Sequence, residues 1–154
     1  MTEIDRITRL LEKTFDRQPW YGSSVMEILK TVNPLIVNQR IGETHSIAEL
    51  VEHMISWRTF ATKRLQGEEA FQVNDATNFP SSHTWEDTLK RLHQSQEELL
   101  KATKQFPEER LNELVPGNQF RYTYYTLLHG IIQHDVYHLG QIALLKKVIE
   151  SNSK

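Results

Sequence analysis

The sequence predicts an all-α protein, a four-helix bundle, on three observations. Apolar residues recur every three or four positions along four long stretches, no stretch alternates like a strand, and most connections are short. With 154 residues, the chain is expected to form one domain, 1–154, able to bury a core without cross-links.

Residues 2–17 set Ile4, Ile7, Leu10 or Leu11 and Phe15 against Asp5, Arg6, Arg9, Glu12 and Lys13, with Thr2 as the N-cap. Gln18 to Ser24 breaks this helix with Pro19 and Gly22. A short helix over Val25–Val32 should stop before Pro34, because a residue preceding proline avoids the helical region. Ser46 and Glu49 form a capping box that opens a long helix to about Gln66, closed by Gly67. Its apolar face carries Ile47, Leu50, Val51, Met54, Trp57, Ala61 and Leu65, with His53 at the edge. Glu49 and Glu52 are expected to point away from that face. The segment Glu68–His83 is irregular and polar, including Asn74, Asp75, Asn78, Pro80, Ser81 and Ser82. A loop this long is usually functional or mobile. Thr84 caps a third long helix, Trp85 to about Gln105, with Trp85, Leu89, Leu92 and Leu99 inward and His93 facing solvent. Pro107 is placed to start a short helix, PEERLNEL, before a turn at Val115–Asn118.

The last stretch, Tyr122 to Lys147, has an apolar stripe of Tyr124, Leu127, Ile131, Ile142, Leu145 and, just beyond it, Ile149. His134 and His138 lie within that stripe, and Gln141 is close by on the same side. Burying a polar group without a partner costs about 1–3 kcal/mol, so both imidazoles need one. Two readings fit. They are core histidines bonded to a neighbouring helix, or they share one metal ion, since side chains at i and i+4 are about 5–6 Å apart.

Composition narrows the chemistry. There is no cysteine, so any metal must be held by nitrogen and oxygen donors, and no thiol nucleophile is available from the chain. The N-terminus is charged and amphipathic without an apolar signal region, and no apolar run reaches the roughly 20 residues that cross a bilayer. A cytoplasmic protein without a membrane partner is the expectation. A net charge of −2 argues against nucleic acid as a partner.

Three segments resemble the DinB-like family of small metal-binding proteins. They are HSIAELVEHMISWRTF (residues 45–60), Trp20-Tyr21-Gly22-Ser23-Ser24 after the first helix, and HDVYHLGQI. The last, residues 134–142, matches the family pattern His-x-x-x-His-x-Gly-Gln-Ile without a gap and is the specific one. The resemblance implies an up-down-down-up four-helix bundle with a divalent ion between its helices, held by His53, His134 and His138. Three protein nitrogens with an open position resemble catalytic rather than structural zinc sites. Zinc is the expected ion and nickel a second option, since imidazole suits both. Gly140 would allow close helix packing, and Gln141 or Asp135 would fix an imidazole tautomer.

The same resemblance implies an enzyme acting on a small molecule. The family includes bacillithiol-type thiol transferases, which move low-molecular-weight thiols to electrophiles, and metal-dependent hydrolases. A metal-binding stress-response protein without turnover is the alternative. The thiol reaction is favoured because hydrolysis usually wants a carboxylate base, of which the predicted site offers few. No catalytic residue is assigned. Aromatic residues outside the main stripes (Trp20, Tyr21, Phe71, Phe79, Phe120 and Tyr125) suggest a homodimer.

Overall fold

The computed structural model describes residues 1–81 and 83–154; Ser82 lies outside the described residues. Among the described residues there are six α-helices and no strand. They are α1 (Glu3–Asp16), α2 (Val25–Leu29), α3 (Ile47–Leu65), α4 (Asp75–Asn78), α5 (Trp85–Gln105) and α6 (Tyr124–Asn152).

Local chemistry sets the helix starts. Thr2, Ser24, Ser46, Asn74, Thr84 and Thr123 each accept the backbone N–H three residues on, which satisfies a donor the helix cannot. The Ser46–Glu49 capping box is reciprocal, as the sequence predicts. Gly67 closes α3 at φ 84°, a conformation that favours glycine.

Four elements differ from expectation, the first being α4, a single helical turn inside the segment read as irregular. The helix expected over Val25–Val32 ends at Leu29, and the N–H groups of Thr31 and Val32 bond three residues back in tighter turns. PEERLNEL forms only a 3-10 turn, Glu108–Arg110, with Pro107 preceding it. Leu111 and Val115 are both buried, and the Val115 N–H bonds the Tyr122 carbonyl, which draws the chain out of helical geometry. The final helix begins at Tyr124 and continues to Asn152; at 29 residues it is about 43 Å long.

Helix α3 packs against both α5 and α6, and α1 packs against the same two helices. The apolar core is in two parts. One gathers Phe15, Met26, Leu29, Val51, Met54, Leu92, Leu139 and Ile142. The other gathers Ile7, Leu11, Ala61, Leu99, Tyr124, Leu128 and Ile131. Between them, in chain order on every long helix, lies a polar layer. Arg58, fully buried, donates to Gln96 Oε1 at 2.5 Å and to Asp135 Oδ2 at 2.6 Å. Gln96 Nε2 in turn donates to the Leu11 carbonyl at 3.4 Å, so α1, α3, α5 and α6 are tied at one level.

Glu49 and Glu52 correct the sequence reading, because both are buried rather than turned to solvent. Glu49 accepts from the Ser46 N–H and pairs with Arg40. Glu52 accepts from Thr88 Oγ1 at 2.6 Å and from Arg91, with His83 Nδ1 at 3.3 Å. Periodicity places residues on faces, but it does not see that α5 brings a hydroxyl and a guanidinium to the acidic edge of α3.

Candidate metal centre

His53 comes from α3, and His134 and His138 come from successive turns of α6. Their Nε2 atoms converge: His134 is 3.0 Å from His53 and 3.2 Å from His138. Among the described residues these three are the group of histidine and carboxylate side chains that could hold a metal ion. Zinc–nitrogen bonds of 2.0–2.1 Å at tetrahedral angles put neighbouring nitrogens about 3.3–3.4 Å apart, close to what is seen.

The outer nitrogens determine which ring atom faces the centre. His53 Nδ1 lies 2.9 Å from the Asn78 carbonyl, which can only accept. The proton of neutral His53 is therefore on Nδ1, and Nε2 presents a lone pair. His138 Nδ1 is 2.6 Å from Gln141 Oε1, which has the same effect. Nδ1 of His134 is buried without a partner. His53 and His138 thus turn lone pairs toward His134 Nε2, and with the His134 proton on Nδ1 all three nitrogens could ligate one ion.

All three imidazoles are held neutral. Burial is the main cause for each, since it penalises the imidazolium. For His134, burial and the neighbouring His138, His53 and Arg58 push the pKa down to about 3. In His53 and His138 the bonds to Asn78 and Gln141 pull back, yet the net direction is still down. Neutral imidazole is the form that binds metal.

The irregular segment holds His53 in place. Phe79 stacks on the His53 ring at 4.1 Å and 6°, and His45 stacks on the other face of Phe79 at 3.7 Å and 5°. Asn78 receives His53 on its carbonyl and Trp57 Nε1 on its side-chain oxygen at 3.0 Å. Ser56 reaches the Thr77 carbonyl from α3. The sequence marks this stretch as irregular, but it does not reveal that α4 clamps a centre residue.

Of the expected supporting residues, Gln141 meets His138, whereas Asp135 bonds Arg58 instead. Asp135 is fully buried, and that burial pushes its carboxyl up against the pull of Arg58. Gly140 is exposed and has open space where a Cβ would be, so it makes no close helix contact. His93 is exposed, as expected, and His129 lies against Tyr125 with the two rings tilted by 41°. His45, His83, His93 and His129 all lie outside the three-histidine group.

Two recesses adjoin the centre. One, of about 240 Å³, is bounded by Trp57, Phe60, Tyr122, Leu127, Ile131 and His134. The other, of about 400 Å³, is bounded by Glu43, Thr44, His45, Phe79, Gln141 and His138 and is more polar.

The family model described as the DinB superfamily matches residues 5–142, a span that includes all three histidines. No curated protein matches the chain significantly. No helix among the described residues is long and apolar enough to cross a membrane.

Proposed function

The chain belongs to the DinB superfamily, and from that premise we propose that it is a divalent-metal-dependent enzyme transferring a small thiol to an electrophile. Its ligands are His53, His134 and His138. The observation that carries this reading is the convergence of three neutral Nε2 atoms with no carboxylate in the group. These histidines would hold a divalent ion, which would supply a Lewis acid able to bring the pKa of a small thiol toward neutral. The sulfur–carbon bond forms as the bond to the leaving group breaks, and the thiol proton passes to solvent.

The chain's own part is positioning. Asn78 and Gln141 hold two imidazoles with Nε2 inward, and Trp57, stapled to Asn78, walls the centre beside His134. The nearby acids are engaged elsewhere: Asp135 with Arg58, Glu49 with Arg40, and Glu52 with Arg91. That leaves little for a hydrolytic base. The second reading, hydrolysis, rests on Glu43, which lines the recess beside His138. A metal-binding protein without turnover is the third.

Zinc is the proposed ion, with nickel the next candidate. The up-down-down-up course belongs to the same proposal. Contacts of α3 with α5 advance together (Glu52 with Thr88, Arg58 with Gln96), while those with α6 run oppositely (His53 near His138, Trp57 near His134). A homodimer is proposed from the exposed Trp20, Phe120 and Tyr125; Phe79 is not available for it, being stacked between two histidines. A reducing cytoplasm, where small thiols stay reduced, suits the reaction.

The test uses untagged protein, analysed for zinc and nickel, with a small thiol and a benzyl halide or epoxide. Ester and amide panels are run without thiol. Turnover that needs both metal and thiol and is lost in His134→Ala supports the proposal. Ester or amide turnover without thiol, lost in the same variant, favours hydrolysis, and no turnover at all favours the binding-only reading.

A further inference from the structure

Apart from His134, no residue lining the apolar recess belongs to the three-histidine group. We propose that this recess binds the uncharged apolar body of the substrate, a single ring with a short substituent, and that Gly130 sets the size it admits. The word substrate rests on the functional reading above; the binding itself does not.

Volume supports one ring. The recess measures about 240 Å³, whereas a cavity of about 150 Å³ takes benzene and drug-sized pockets begin near 300 Å³. Its walls are aromatic and aliphatic, from Trp57 and Phe60 on α3 and Leu127 and Ile131 on α6. The indole N–H of Trp57 is already donated to Asn78. The hydroxyls of Tyr122 and Thr126 and the imidazole of His134 are the other polar groups of the lining. No charged side chain lines it, so a cationic ligand would lose water without meeting a counter-charge, and an anion would meet none in the lining itself.

Gly130 is the more specific sign. It lies in the interior of α6, where glycine is disfavoured relative to alanine. Its backbone does not have the positive φ that would call for glycine. A Cβ there would meet nothing within 4 Å, so no neighbouring element requires its absence. What glycine leaves at this position is open space within the recess. Gly140 is equally open, but it is exposed and lines neither recess beside the centre. Gly130 and His134 are also one turn apart on the same face, so a ring seated over Gly130 lies against a centre imidazole.

The experiment titrates the zinc-loaded full chain with toluene, followed by saturation-transfer NMR. Zinc affinity and thermal melting are measured on the same samples. Wild type should bind toluene saturably. Gly130→Leu should bind it at least tenfold more weakly with zinc affinity unchanged. Gly130→Ala should show a smaller loss with a melting temperature equal to or above wild type, which keeps the test valid if the leucine variant folds poorly. No saturable binding to wild type, or equal binding to wild type and both variants, overturns the proposal. Failure of the thiol assay would sink the transferase reading and leave the toluene result standing, and the reverse also holds.

Discussion

Replacing Asp135 by asparagine keeps the volume and removes one charge from the middle of the core. Arg58 and Asp135 are both fully buried, and the bond between them is 2.6 Å. In the variant Arg58 keeps Gln96 but loses its counter-charge, and breaking a buried pair in this way costs about 3–5 kcal/mol. For a domain of this size each kcal/mol shifts the melting temperature by roughly 2–4 °C, so a drop of about 6–20 °C is expected. The assay is thermal unfolding by circular dichroism of metal-free protein, with Arg58→Met/Asp135→Leu alongside. The double variant should recover at least half of the loss, because an apolar pair replaces a stranded ion. It should not recover all of it, because Gln96 then loses its donor, at a cost of about 1–3 kcal/mol. A loss below about 1 kcal/mol in Asp135→Asn, or a double variant no better than the single, would refute the reasoning. Zinc affinity separates two roles. If Asp135→Asn melted like wild type yet bound zinc a hundredfold more weakly, Asp135 would be acting on the imidazoles rather than on the frame.

Among the proposed ligands, His134→Ala or His138→Ala should abolish stoichiometric zinc binding, and His53→Ala should weaken it at least tenfold, read by calorimetry; His93→Ala should not change it. Gln141→Leu removes the acceptor that orients His138, and a loss of about 10–100-fold in zinc affinity is expected from competition with a chelating dye. The pH dependence follows from three lowered imidazole pKa values. The unfolded chain takes up protons near pH 6.5 while the folded centre does not, His134 resisting to about 3. Metal-free stability is therefore complete above 6.5 and falls as the pH drops below it. Urea midpoints between pH 7 and 5 should decline more steeply in wild type than in a triple His→Gln variant; equal slopes would show that the imidazoles titrate normally.

The starts of α1, α3 and α5 were legible in the sequence, because a capping bond joins residues three apart and Thr2, Ser46 and Thr84 stand at the head of long stripes; the one-turn α4 is too short to have a stripe. The pair His134 and His138 was legible for the same local reason, being one turn apart on an apolar stripe. Partners far along the chain were not. Arg58 meets residues 38 and 77 positions away, and Asn78 reaches His53 across 25. No periodicity in α3 signals that a guanidinium on it is buried, because the pairing charge is supplied by another helix. Glu52 was misplaced for that reason, and Asp135 was assigned to the wrong neighbour. The resemblance supplied His53, which spacing alone left as a boundary residue.

The polar layer also bears on how such a chain could change over generations. Asp135 directly follows His134, so the two project about 100° apart, one toward Arg58 and the other toward the centre. The alignment of α3 with α6 is thus fixed by a contact that includes none of the three histidines. Substitutions at 53, 134 and 138 can accumulate while the helices keep their relative positions. The fold does not depend on an ion at the three histidines and can be refitted with another donor set, so a descendant without these histidines could keep this architecture and do unrelated work.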